Sequence, residues 1–219
     1  PKEHSCITRQ VGSLIQRSPS FLIILSAPSG GGKSTILNEI LKVSDNIDYS
    51  VSYTTRKPRG VEQNGTHYHF VNEEEFLARA ESGDFLEHAK VFGNWYGTSI
   101  SYIKSRLAAG KHVIMDIDVQ GATLISATDV PYVKVFIIPP SMDVLRNRLV
   151  LRATDSEEEI TKRLNTAKSE LDYIPHYDYL VVNDDLAQAV HDVQAIIRAE
   201  ENRVYRYVNP VEGFLTQEK

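Results

Sequence analysis

Residues 21–35 read FLIILSAPSGGGKST: five apolar residues in a row, then a glycine-rich turn that ends in a lysine and two hydroxyls. An unbroken apolar run predicts a strand over 21–25 buried on both faces, which places it in a parallel sheet covered by helices. Beyond the turn, Ile36, Leu37, Ile40 and Leu41 recur at helical spacing and predict an amphipathic helix over 34–42. Strand, glycine turn and helix together can hold nucleotide phosphates. The glycines let successive N–H groups face inward as an anion nest, and the helix N-terminus adds partial positive charge. Residues 27–34 match G-x-x-x-x-G-K-[ST] except at Ala27, whose methyl is tolerated at negative φ. Ser29, Gly30, Gly31, Gly32, Lys33, Ser34 and Thr35 are therefore expected to cradle ATP. Lys33 would reach the β- and γ-phosphates, and the Ser34 hydroxyl would ligate Mg²⁺. A glycine turn without a ligand is the plainer alternative; the flanking strand and helix weigh against it.

The rest of the chain continues the alternation after one interruption. Residues 50–98 carry short predicted strands at 49–53, 67–71 and 85–92, with turn chemistry at Asn64-Gly65 and Gly93-Asn94. Asn72 with Glu75 three residues on predicts a short helix that stops near Gly83. Beyond Ser99 the pattern predicts helix over 99–109, strand over 113–117, helix over 119–127 and strand over 133–138. Two helices (141–151 and 156–172), a strand (179–182) and an amphipathic helix (186–206) follow. Buried strands separated by helices predict an α/β fold with a mostly parallel sheet flanked by helices, and an inserted lobe.

Composition narrows the function. With 24 basic against 29 acidic residues the net charge is −5, which argues against a dedicated nucleic-acid surface. A single cysteine, Cys6, rules out an intramolecular disulfide and leaves no basis for a cysteine zinc site. The polar start PKEHSCITRQVGS lacks a secretory apolar run, and no stretch reaches a membrane-spanning length. A cytoplasmic protein without membrane partners is expected.

Other chemistry-bearing residues cluster in two places. Asp116 ends a predicted buried strand, where an acid can serve the outer shell of a magnesium ion; a simple turn role is the alternative. Ser52, Arg56, Arg59, Glu62 and Tyr68 fall within one short unit, 50–70. Two arginines three residues apart can clamp a phosphate bidentately, although a solvated basic turn is the commoner reading of such a pair. His67 and His69 share a strand face but have no third ligand at a metal-site spacing.

In order along the chain, TTRKPRGVEQNG with HYHF, GNWYGTS, MDIDVQGA, PPS, TDSEEEITKRL and VVNDD closely resemble the guanylate kinase family over about residues 20–205. The resemblance implies a P-loop NTPase core, an inserted GMP-binding lobe and a helical lid. Its boundaries would be an arm at 1–19, core at 20–52, 99–140 and 171–206, lobe at 53–98, lid at 141–170 and tail at 207–219. It implies phosphoryl transfer from Mg²⁺-bound ATP to GMP or dGMP, by a monomer or homodimer. It further implies that Arg56, Arg59, Tyr68 and Tyr96 hold the GMP phosphate, and that Ser52, Glu87, Thr98 and Asp118 meet the guanine, with Glu62 lining that region. Arg148, Arg152 and Arg163 would be the lid arginines, and Asn183 would lie near the adenine.

Overall fold

The computed structural model describes residues 16–17, 20–91, 93–125, 128–151, 156–208 and 211. After β1 (Gln16–Arg17) comes β2 (Leu22–Ser26), every residue of which is buried, as its apolar run requires. The glycine loop leads into α1 (Lys33–Val43), and β3 (Ile47–Tyr49) follows. The interrupting section contains β4 (Tyr53–Thr54), β5 (His69–Phe70), α2 (Glu73–Glu81), β6 (Phe85–Val91) and β7 (Asn94–Ser99). Next come α3 (Ile100–Ala108), β8 (His112–Asp116), α4 (Val119–Leu124) and β9 (Tyr132–Ile138). Then follow α5 (Met142–Leu151), α6 (Glu157–Leu171), β10 (Tyr179–Val182), α7 (Leu186–Glu201) and β11 (Tyr207–Val208).

Five strands form a wholly parallel sheet in the order β10-β9-β2-β8-β3. β2 is central, with β8 on one side and β9 on the other, so crossovers diverge at its carboxyl end and open a crevice there. The pleat sends alternate β2 side chains to opposite layers. Ile23 and Leu25 meet Ile36, Leu37 and Ile40 of α1 and Val193 and Ile197 of α7. Leu22 and Ile24 meet Ile103 and Leu107 of α3 and Ala122 of α4. The inserted section is a four-stranded sheet, β5-β4-β7-β6. Its core is Phe76 of α2, stacked on Phe85 at 4.6 Å and Trp95 at 5.8 Å. α5 and α6 pack on each other through Leu145, Leu149, Ile160 and Ala167.

Several boundaries differ from the sequence reading. The strand expected over 49–53 is two strands in two sheets. Ser50 N–H still bonds the Ile114 carbonyl at 2.9 Å, whereas the Ser52 carbonyl already accepts from His69 N–H at 2.8 Å. Strand propensity is continuous across that point, but the pairing partner changes. Of the turn expected at Gly93-Asn94, Asn94 already belongs to β7. The helix expected over 186–206 ends at Glu201, where the Asn202 amide turns onto the Arg198 carbonyl at 2.6 Å. That expected over 119–127 ends at Leu124, and residues 126–127 lie outside the described residues. Residues 16–17 of the expected arm pair antiparallel with 207–208 of the expected tail.

Next to that pairing, Arg206 is 4% exposed, sits 4.2 Å over the Phe21 ring and pairs with Glu200 at 3.2 Å. Glu200 also accepts from Tyr179 O–H at 2.7 Å and pairs with the half-exposed Arg203 at 2.9 Å. Removing one partner of a buried ion pair costs about 3–5 kcal/mol, and an exposed one about 1 kcal/mol or less. Arg206→Ala should therefore lower the melting temperature by about 6–12 °C in a calorimetric scan. Arg203→Ala should lower it by no more than about 2 °C.

Candidate active site

The glycine loop at the carboxyl end of β2 is shaped by its neighbours as much as by its sequence. Gly32 stands at φ 94, and a Cβ there would lie 2.1 Å from the Asn183 side-chain nitrogen. That amide donates to the Gly31 carbonyl at 2.9 Å, and Asn183 N–H bonds Ile138 at the end of β9 at 2.7 Å. The residue therefore ties the loop to the strands beside it. Arg148 of α5 donates to the Asn183 carbonyl at 2.8 Å, and Arg163 of α6 approaches the Ser29 hydroxyl at 3.4 Å. Arg152 lies outside the described residues. Arg146 pairs with Glu157 on the surface at 3.4 Å.

Two cavities flank the loop. One, of about 360 Å³, is bounded by Gly30, Gly32 and Thr35, with Arg148, Leu151, Asn183, Asp184 and Leu186 around it. The exposed Leu151 and Leu186 give it apolar walls suited to a base. The other, of about 340 Å³, lies between the main sheet and the lobe and contains Lys33, Ser52, Tyr68, Glu87, Tyr96, Asp116 and Asp118. Glu87, Ala89 and Val91 of β6 all face it, as alternate residues on one side of a strand must.

Two acids of the second cavity have a local cause for their pose. Glu87 is directly opposite Thr98 across the β6–β7 pair, and the fully buried Thr98 hydroxyl donates to its Oε1 at 2.7 Å. Asp118 caps α4, accepting from Gly121 N–H at 2.7 Å. Gly121 lines the cavity too, and a Cβ there would come within 3.3 Å of Glu87 Oε2. Arg56, Arg59 and Glu62 stand outside the cavity lining. Arg56 is held in a fork by Glu62, both N–O distances being 2.9 Å, 5.3 Å from the centre of the Tyr68 ring; Arg59 is exposed.

Two carboxyls are strongly perturbed. The Arg56 fork, and after it the Arg59 N–H, draw the Glu62 carboxyl down to about 2. Burial, with a smaller push from Asp118, raises the Glu87 carboxyl to about 7 against the opposing Thr98 hydrogen bond. Lys33 Nζ stands 3.5 Å from Asp116 Oδ2 and donates to the Ile117 carbonyl at 3.3 Å. Sequence reasoning missed Tyr49, whose hydroxyl donates to Asp116 Oδ1 at 2.6 Å. It also missed Ala89, Val91, Ile117 and Gly121, whose place in the lining carries no residue-type signal. His69, singled out with His67, stacks on Tyr53 at 4.5 Å, and His67 Nδ1 accepts from Gln63 N–H at 3.0 Å. Among the described residues no three metal-binding side chains gather. The exposed Ser34 hydroxyl and the Asp116 carboxylate instead fit an ion that takes few protein oxygens and completes its shell with phosphate and water, as Mg²⁺ does.

A parallel sheet with a phosphate-binding loop at its switch point defines an α/β protein of the P-loop nucleotide-binding class. The family model described as guanylate kinase matches residues 20–200, and the chain belongs to the guanylate kinase family. A guanylate kinase from Hahella chejuensis is 46% identical over 183 residues, which span 84% of this chain and 88% of that protein. One from Legionella pneumophila is 44% identical over 188 residues, spanning 86% and 90%. The crystal structure of guanylate kinase from Anaplasma phagocytophilum superposes with a TM-score of 0.76 at 34% identity, covering 94% of this chain and 98% of that one. Among the described residues, no helix is long and apolar enough to cross a membrane.

Glu87 makes a checkable prediction about the free protein. Its carboxyl is raised from 4.5 to about 7, so the folded state binds more protons than the unfolded state between those values. Stability must therefore fall as pH rises through that window and level off above it. Urea unfolding at pH 5, 6, 7 and 8 should show this fall in the wild type and a shallower one in Glu87→Gln. Parallel curves would mean that Glu87 is ionised throughout.

Proposed function

We propose that this chain transfers the γ-phosphoryl group of ATP to GMP, and to dGMP, giving GDP or dGDP and ADP, as a cytoplasmic enzyme of purine nucleotide metabolism. The observation that carries this reading is the pair of cavities meeting at one phosphate loop, of which only the lobe-side one contains a buried carboxylate. Guanine presents N1–H and N2–H donors on one edge, which an ionised Glu87 would accept, while the Ser52 hydroxyl would serve O6; the Thr98 hydroxyl, outside the cavity lining, is committed to Glu87. Adenine has an amine where O6 should be and lacks the N2 donor, so it would leave these buried groups unpaired. Hydrogen-bonding sites of this kind discriminate by roughly 10⁴-fold.

In this reading Asp118 borders the base. Tyr68 and Tyr96 donate to the GMP phosphate, and Arg56 and Arg59 clamp it, Arg56 exchanging its contact with Glu62 for the phosphate oxygens. Glu62 keeps the clamp folded toward the pocket until then. Gly30 to Thr35 and Ser29 hold the ATP phosphates, and Asn183 and Leu186 border the adenine. An α-phosphate oxygen of GMP, already ionised at neutral pH, attacks the γ-phosphorus in line as the bond to the β–γ bridging oxygen breaks, so no general base is needed. Lys33, Arg148, Arg152 and Arg163 neutralise the charge spread over the transferring oxygens. Mg²⁺ held through Ser34 and the outer-shell Asp116 would supply further neutralisation of the β- and γ-phosphates. Closure of lobe and lid would keep water from taking the phosphoryl group.

The deciding experiment is ADP release measured with GMP, dGMP, AMP, UMP and CMP in turn. GMP and dGMP should exceed AMP in kcat/KM by roughly 10⁴-fold. Comparable use of AMP, or phosphopeptide binding without turnover, would refute the assignment. Lys33→Ala should remove most turnover with little change in melting temperature. Because guanine needs the ionised Glu87, GMP affinity should weaken as pH drops below about 7. Glu87→Gln, compared by calorimetry, should lack that component while ATP binding is unchanged.

A further inference from the structure

Tyr49 ends β3 at the edge of the main sheet and packs its ring against the α1-side core. The parallel register sets Tyr49 beside Ile114, so a side chain reaching forward arrives at the end of β8, where Asp116 stands. There the phenol donates to Asp116 Oδ1 at 2.6 Å, a charge-assisted hydrogen bond of the short, strong kind. The Tyr49 carbonyl is itself held by the Tyr102 hydroxyl at 3.1 Å, so the donor is fixed from behind.

The consequence lies on the other carboxylate oxygen. Asp116 Oδ2 faces Lys33, but at 3.5 Å, longer than the roughly 2.7–2.9 Å of a tight ammonium–carboxylate bond. The ammonium is shared with the Ile117 carbonyl at 3.3 Å. A carboxylate free to turn about its terminal bond would close on that lysine with both oxygens and draw it off the phosphate loop. We propose that Tyr49 is a positioning residue for phosphoryl transfer: by occupying Oδ1 it sets the plane of the Asp116 carboxylate, so that Oδ2 faces the phosphate cleft and Lys33 stays available to phosphate. The proposal rests on the kinase reading of this site and adds to it a residue that contacts neither nucleotide.

Tyr49→Phe keeps the ring and its packing and removes only the hydroxyl. It should lower kcat about tenfold, equivalent to about 1.4 kcal/mol. It should also raise several-fold the Mg²⁺ concentration that half-maximally tightens ATP binding in calorimetry, with GMP affinity within twofold and the melting temperature nearly unchanged. In an Asp116→Asn background the same substitution should change little, because the phenol acts through that carboxylate. An equal loss in that background, or an unaltered Mg²⁺ dependence in Tyr49→Phe, overturns the proposal. A wild type that phosphorylates no monophosphate would sink the kinase reading alone. The Mg²⁺ dependence of ATP binding would still judge Tyr49, a shift upholding its role and no shift ending it.

Discussion

Peptide N–H groups can close on phosphate oxygens only where the backbone is bare, and Gly32 meets that demand under tight confinement. Its left-handed φ excludes most side chains, and the Asn183 amide occupies the space a Cβ would need. The same amide restrains the Gly31 carbonyl, while the Asn183 backbone is held by β9 and by Arg148 of α5. Three distant segments therefore converge on one loop. The central position of β2, the divergence of crossovers at its end and the approach of α5 all support this one turn.

A second theme is that the cations near the loop and lobe have partners before any anion arrives. Lys33 faces Asp116, Arg56 is gripped by Glu62, Arg148 donates to a carbonyl and Arg163 meets the Ser29 hydroxyl. Such pairing keeps like charges from repelling one another and restrains long side chains. At Lys33 and Arg56 an arriving anion would take the place of a carboxylate partner, which would preserve most of the electrostatic energy already present. Glu87 is the opposite case: a carboxyl buried beside Asp118, with a single hydroxyl to stabilise its charge.

The lobe-side cavity could be read only in part from the chain. Glu87, Ala89 and Val91 show the alternation of a strand, yet nothing in that pattern says which face is enclosed. Between Ser50 and Ser52 the hydrogen-bond partners change from one sheet to the other, although the strand was read straight across that point. Arg56, Arg59 and Glu62 stood out as a charged cluster, but the fork between Arg56 and Glu62 depends on how the loop folds back. Tyr49 left no signal, because a tyrosine at the end of a buried strand reads as core in any sequence.

What residue order determined by itself was local: the apolar run of β2, the glycines that permit an anion nest, the caps that start helices, and an alternation that commits the chain to a parallel sheet. These depend on neighbours within a few positions, and such interactions are present in the string of residues. Tertiary structure alone decided which carboxyl would be buried and its pKa raised, which arginine would be forked by a glutamate, and that a phenol from β3 would grip the acid at the end of β8. Burial and charge pairing join residues tens of positions apart, and their strength depends on distance and surroundings that only the folded chain supplies.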